Sequence, residues 1–147
     1  MKYLPIGLPI LFVVCFPIFW VAVSFLIALM GGWLALARSY GVEKLPDGES
    51  LSGQSAKIGL FGNYNNCLVF VLTDAGLGMR TYWLFKWGHE PLFIPWDQIT
   101  VAPAKFLGLF DFGQSRLDIA SHPHLSLTLG QTLSQAVRAK LAQRLQV

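Results

Sequence analysis

Leu8 to Met30 reads LPILFVVCFPIFWVAVSFLIALM, and the reading of those 23 residues decides the architecture of the whole 147-residue chain. Fifteen of them are Leu, Ile, Phe or Val, and none is charged. As a helix the stretch is about 34 Å long, against roughly 30 Å of bilayer hydrocarbon. At about −0.3 to −0.6 kcal/mol each, the large apolar side chains favour insertion by about 5 to 9 kcal/mol. Pro9 lies near the first turn and costs little, whereas Pro17 removes a mid-helix hydrogen bond and predicts a kink near Val13. Three other readings compete. A cleaved secretory signal has an apolar core of about 7–15 residues, and this run is about twice that, although Ala35-Leu36-Ala37 before Arg38 has the form of a cleavage site. A helical hairpin would leave each arm near 26 Å, with no loop between them. A buried core helix needs a shell that a small domain cannot supply to a helix apolar on all sides.

Outward from this stretch the composition changes. The whole chain is 54% apolar and 13% charged, against about 25% charged in an average soluble domain. Of its 11 basic residues only Lys2 precedes Arg38, and all 8 acids follow it. The chain is therefore an oily first quarter and a nearly neutral remainder, large enough for one small domain with a modest core. That division excludes a disordered chain, a wholly soluble protein and a multi-domain enzyme. Bases and acids almost balance after Arg38, which excludes the clustered positive face of a nucleic-acid binder. Cys15 lies in the apolar run, so it has no intradomain partner in Cys67, which reads as a small core residue.

Gly31-Gly32 weakens the helix after Met30. Trp33, Arg38 and Tyr40 then read as membrane-interface anchors, with Leu34, Leu36 and Ala37 at the bilayer surface and Tyr3 marking the opposite interface. Arg38 and Lys44, with Lys57 just beyond, outweigh Lys2 and the α-amine by a narrow margin. The expected location is the cell (inner) membrane, single-pass, with the C-terminal domain cytoplasmic. The expected division is residues 1–38 for the span and its anchors, 39–54 for a polar Gly- and Pro-containing linker, and 55–147 for the domain.

The domain reads as about seven short strands and a helix. Strands are expected at residues 56–61, 67–73, 77–85, 92–96, 99–106, 116–120 and 125–129. Turns fall at 63–66, 74–76 and 88–91, and a loop at 108–113. Gly76 is placed for positive φ in a three-residue hairpin loop, and Pro95 marks an edge or a bulge. Leu125, Leu127 and Leu129 alternate with polar residues. The period then changes: Leu133, Val137, Leu141 and Leu145 form one helical stripe, with Thr132 and Gln135 as a capping box. The expected fold class is α+β, mainly β. One N-terminal transmembrane helix precedes a small antiparallel β-barrel or sandwich, capped by a C-terminal amphipathic helix.

The run Leu92-Phe93-Ile94-Pro95-Trp96-Asp97-Gln98-Ile99-Thr100 resembles the Ile-Pro-aromatic-x-x-Ile step of bacterial pleckstrin-homology-like and GRAM-like domains. The Thr73-Asp74-Ala75-Gly76-Leu77 hairpin and the closing helix are similar to theirs. The resemblance covers roughly residues 56–147. With the span and the Gly-Gly-Trp step, the whole chain looks like a group of small bacterial single-span membrane proteins carrying such a domain. It implies a binding module or scaffold. No ligand site is carried over, because the first hairpin lacks the Lys/Arg cluster of phosphoinositide-binding members.

Motifs for chemistry are weak. Gly108 to Ser115 fits a phosphate-binding loop except that Gln114 stands where the phosphate-reaching Lys is required. Asp111-Phe112-Gly113 lacks the rest of the kinase set. His89, His122 and His124 read as solvated loop residues rather than zinc ligands, Pro123 breaking the pair. No acid pair, nucleophile elbow or metalloprotease motif is present. The expectation is a non-catalytic chain with no cofactor and no metal. Lys86 and Trp87 at a hairpin tip, and Arg138, Lys140 and Arg144 along the last helix, are the candidate lipid or partner contacts. Bland readings stand beside them: Trp87 packed on the rim of the domain, and the basic row as a solvated helix face.

The expected function is a membrane-anchored, non-catalytic binding or scaffold domain that holds a protein or lipid partner at the bilayer surface. The partners are the lipid bilayer, another membrane protein in some versions, and no nucleic acid. The alternative is an accessory subunit of a membrane complex, its helix packing on partner helices through Cys15, Ser24 and Ala28. A membrane-tethered enzyme is the third reading.

Overall fold

The computed structural model describes residues 4–59, 62–106 and 110–145. Helix α1 (Leu4–Met30) runs as a single element through both Pro9 and Pro17. It is long and apolar enough to cross a membrane, and most of its surface is exposed. It stops at Gly31-Gly32: the Gly31 N–H still bonds the Ile27 carbonyl, and Gly32 takes a φ of 87°. A left-handed residue just past a helix end is where glycine is favoured, because a Cβ would be strained there. The chain turns and re-enters a short helix, α2 (Trp33–Tyr40).

Seven strands follow: β1 (Glu49–Ile58), β2 (Gly62–Leu72), β3 (Gly76–Thr81), β4 (Leu92–Pro95), β5 (Ile99–Phe106), β6 (Phe110–Ile119) and β7 (His122–Leu129). They form one antiparallel sheet in the order β4-β3-β2-β1-β7-β6-β5. β1 joins its two halves. Residues Ala56, Lys57 and Ile58 pair with β2 on one side and β7 on the other. Irregularities near Gly53 (φ 65°) and at Asn66 (φ 56°) interrupt the regular β1–β2 ladder, as bulges do where a strand must bend. The sheet is open: β4 and β5 are its two ends, joined in sequence by one 3-10 turn at Trp96–Gln98. Pro95 closes β4, which is an edge strand, where a missing N–H is harmless. Helix α3 (Gln131–Leu145) returns across the sheet.

The core is one cluster. Leu68, Phe70 and Leu72 of β2 meet Leu77 and Met79 of β3, and Leu117, Ile119, Leu127 and Leu129 join from the other half. Leu133 and Val137 of α3 are fully buried in it, and Leu141 is half-buried against it. Ser134 ties the helix down: its hydroxyl accepts the Ser115 N–H at 2.8 Å and donates to the Leu129 carbonyl at 3.3 Å.

Several expectations need correction. The linker expected over 39–54 is structured at both ends, by the last turn of α2 and by β1 from Glu49. The turn expected at 63–66 is the start of β2, and the loop expected over 108–113 is strand from Phe110. Asn63, Asn65 and Asn66 are turn-forming residues, and they hid the strand around the buried Tyr64. Conversely, strand at 77–85 ends at Thr81 and gives way to a 3-10 turn at Trp83–Phe85. His122-Pro123-His124 is strand, not turn, since β7 begins at His122. Gly76 is not a positive-φ residue. The Thr73 hydroxyl shapes that hairpin instead, accepting the Ala75 and Gly76 N–H groups. Gly76 is small because a Cβ would lie 2.5 Å from the Ile94 carbonyl oxygen. Helix α3 starts at Gln131, so Thr132 lies inside its first turn rather than capping it. Tyr3 and the residues at 60–61 and 107–109 lie outside the described residues.

Candidate membrane-facing surface

The surface is organised from beneath by three rings. Trp33 of α2 is 0% exposed, with ring centroids 5.4 Å from Tyr64 of β2 and 5.0 Å from His89. Its indole N–H donates to the Glu90 carbonyl at 2.9 Å. Leu36, one turn further on, is also fully buried. Trp33 and Leu36 are thus core residues of the domain, which corrects their reading as membrane-surface residues. The error has a physical source: a Trp after an apolar run is equally at home at an interface or in a core, and only the fold decides. The same packing fixes α1 to the domain. Gly31 approaches Gly62 so closely that a Cβ on Gly31 would sit 2.8 Å from the Gly62 Cα. Ser24 and Ala28, one helical turn apart on α1, are buried within the chain, so they are not free to contact a partner helix.

His89 was expected to be a solvated loop residue, and it is buried. The Tyr64 hydroxyl bonds its Nε2 at 2.9 Å, and its Nδ1 bonds the Trp87 carbonyl at 3.0 Å. A carbonyl only accepts, so Nδ1 carries the proton and Nε2 accepts from Tyr64. Burial lowers the imidazole pKa, against the opposing pull of the Trp87 and Phe85 carbonyls. Burial likewise raises the Tyr64 phenol pKa, with a smaller contribution from Cys67. Both groups therefore stay neutral and serve as a hydrogen-bonded prop under the segment from Tyr82 to Gly88. Cys67 is half-buried and packs against the core, and burial raises its thiol pKa too, the opposite of what a nucleophile needs.

That segment lies against α1. The Trp20 indole donates to the Leu84 carbonyl at 2.8 Å, and its ring sits 5.3 Å from Phe85. Gly88, at φ 75°, approaches α1 where a Cβ would come within 3.2 Å of the Phe25 Cα. Trp83 is 75% exposed, Leu84 45% and Trp87 41%. Among the described residues, these three are the large exposed apolar side chains outside α1. The Lys86 ammonium stands 5.0 Å from the centroid of the Trp87 ring. Lys86 and Trp87 are therefore both at the surface and adjacent to the apolar helix.

The other expected contacts are scattered. Arg38 is exposed in the last turn of α2, and Tyr40 is half-buried, its hydroxyl bonded to that of Ser121, which also bonds His122. Lys140 is committed elsewhere: its ammonium pairs with Asp74 at 2.7 Å, closing α3 onto the β2–β3 hairpin. The Lys140 hydrogen bond and charge hold the Asp74 carboxyl below the usual carboxylate range, with a smaller contribution from Arg144. Arg138 and Arg144 are exposed. The basic row is thus two outward arginines and one lysine engaged within the chain.

Open clefts lie away from the shifted groups. One of about 450 Å³ is lined by Thr100, Arg116, Asp118, Ile119, Ala120, Pro123 and Ser126. Within it Arg116 forks onto Asp118, with Nε–Oδ1 at 3.2 Å and Nη2–Oδ2 at 3.3 Å. Another, of about 340 Å³, lies between the 43–48 segment and Arg80. Among the described residues no cluster of three or more His, Cys, Asp or Glu side chains is placed to hold a metal ion. No known protein family matches the chain, and no curated protein matches it.

Proposed function

We propose that the chain is a membrane-anchored, non-catalytic binding module that presents its β domain to a protein or lipid partner at the bilayer surface. The observation that carries this reading is the join between helix and domain. α1 is apolar all round and largely exposed along Ile6–Phe19, which suits a hydrocarbon solvent, yet its C-terminal end leads through Gly31-Gly32 into Trp33 and Leu36 in the domain core. An anchor joined in this way holds the domain at a set height and orientation, rather than on a flexible tether. The resemblance to pleckstrin-homology-like domains supports a binding role. The balance of flanking bases favours the inner membrane with a cytoplasmic domain.

The test is alkaline extraction and flotation of the full chain. It should remain with the membranes at high pH and leave them only in detergent. A chain that stayed monodisperse in plain buffer would end the proposal. Protease protection in intact spheroplasts then fixes the side. A second reading, an accessory subunit, is favoured by the apolar cleft of about 240 Å³ on α1 at Pro9, Ile10, Val13 and Val14. Crosslinking from Val13 in native membranes should then yield a discrete adduct with another membrane protein.

A further inference from the structure

We infer that the segment Trp83–Trp87 is a second membrane-embedded element, a short wedge sunk beside α1 into the leaflet from which the domain projects, with lipid as its partner. The inference rests on the anchoring role proposed for α1.

Length forces the depth. Ile6–Met30 spans 25 residues, about 37 Å of helix against about 30 Å of hydrocarbon. Trp20 lies about 15 Å below Met30 along the axis, so a centred helix carries Trp20 roughly 10 Å inside the apolar boundary. Sliding α1 outward until Trp20 reaches the interface leaves, on the far side of Trp20, only the apolar stretch Leu4–Phe19, about 24 Å of helix, before the charge of Lys2 in the sequence. That is too short. Trp20 is hydrogen-bonded to Leu84 and packed on Phe85, so the segment goes to whatever depth Trp20 has.

The segment is built for that solvent. Irregular backbone is costly in hydrocarbon unless its polar groups are satisfied. Here the carbonyls of Tyr82, Trp83 and Lys86 accept N–H bonds from Phe85, Lys86 and His89. The Leu84 carbonyl takes the Trp20 indole, and the Trp87 carbonyl takes His89 Nδ1. Five of the six carbonyls from Tyr82 to Trp87 thus have donors. Outside α1, the large exposed apolar side chains among the described residues are Trp83, Leu84 and Trp87, a single patch continuous with the exposed helix. Lys86, its one charge, has a long apolar stem that lets the ammonium rise to the phosphates. Its position beside the Trp87 ring suits an amphipathic interface.

The experiment is spin-label accessibility on the full chain in vesicles of phosphatidylcholine and phosphatidylglycerol. Cys15 and Cys67 are replaced by Ala, and single labels are placed by Val13→Cys, Trp83→Cys, Leu84→Cys and Arg138→Cys. Labels at 83 and 84 should lose collisions with an aqueous nickel chelate and keep those with oxygen, as at 13 and unlike 138. A label at 13 in lipid with 83 and 84 in water overturns the wedge and leaves the anchor standing. A label at 13 in water overturns both. As a measurement free of substitution, a carbene probe tethered to a lipid tail should label peptides carrying residues 83–87 in the unaltered chain. Labelling confined to α1 overturns the wedge.

Discussion

The two halves of α1 are built from nearly the same apolar residues and meet opposite surroundings. Ile6–Phe19 touches little of the domain, and its side chains stand out on every side. Trp20–Met30 has one face against the domain, with Ser24 and Ala28 buried and Trp20 bonded to Leu84. The difference is made by size and shape rather than by hydrophobicity. Ser24, Ala28, Gly31 and Gly32 form a narrow edge along which another backbone can approach, and the first half has only Gly7 and Cys15 among bulky neighbours. Small residues let another backbone come close, and that close approach is what joins the two elements here.

The largest effect should come from breaking the docked end. Trp33→Ala removes a fully buried indole, two ring contacts and the hydrogen bond to the Glu90 carbonyl. Truncations of this kind cost about 3–5 kcal/mol. Denaturant unfolding of the full chain in mild detergent, followed by the β-sheet circular dichroism signal, should show the midpoint fall by a corresponding amount. The loss of Trp33 should also loosen His89, and with it the segment on Trp20.

Next comes overpacking the joint itself. Gly31→Ala places a methyl 2.8 Å from the Gly62 Cα and from the Ile27 carbonyl oxygen, both backbone atoms that cannot step aside. A cost of about 1–3 kcal/mol is expected. Gly7→Ala, on the exposed half with nothing within 4 Å of the new methyl, should leave the same unfolding curve in place. The pair of glycines tests the comparison directly, and an equal response from both would erase it.

Much of this architecture was legible from residues. The apolar run gave α1, the change of period at Thr132 gave α3, and Pro95, read as an edge or a bulge, stands on an edge strand. The strand count was legible too, because most strands carry a β-branched or alternating core. What was hidden depends on tertiary partners. Trp33 follows an apolar run and precedes Arg38, so its local surroundings are those of an interfacial anchor; its burial requires Tyr64 and His89, which arrive from β2 and a distant loop. His89 has polar and turn-forming neighbours, and nothing local announces that Tyr64 will meet it. Lys140 reads as one of three free bases until the β2–β3 hairpin brings Asp74 to it. The one signal that was available for the wedge is the Trp83-Leu84-Phe85-Lys86-Trp87 run itself, too aromatic for an exposed turn.

A smaller effect separates the prop from the rest of the fold by pH. His89 has its pKa lowered from 6.5 by burial. Above pH 6.5 it is neutral both folded and unfolded and adds no pH dependence. Below 6.5 the unfolded chain takes up a proton that the folded chain refuses, so stability falls until the pH reaches the depressed native value. Unfolding midpoints measured from pH 7.5 down to 5 should decline over this window, and His89→Gln should flatten that part of the decline. A slope unchanged in the variant would mean that the buried imidazole is not its source.

The smallest effect should come from the free half of α1. Val13 is 68% exposed, so Val13→Ala opens no cavity within the chain. Domain unfolding should shift by no more than about 0.5 kcal/mol, as for other substitutions away from packed features. The same change removes part of the apolar surface offered to lipid, and at about 0.8 kcal/mol per buried CH₂ it should weaken partition into membranes more than it weakens the fold. Measuring both quantities on one variant separates the two jobs of a single helix. If Val13→Ala lowered domain stability as much as Gly31→Ala, the first half of α1 would have to be packed against something, and the free, lipid-facing character assigned to it would be lost.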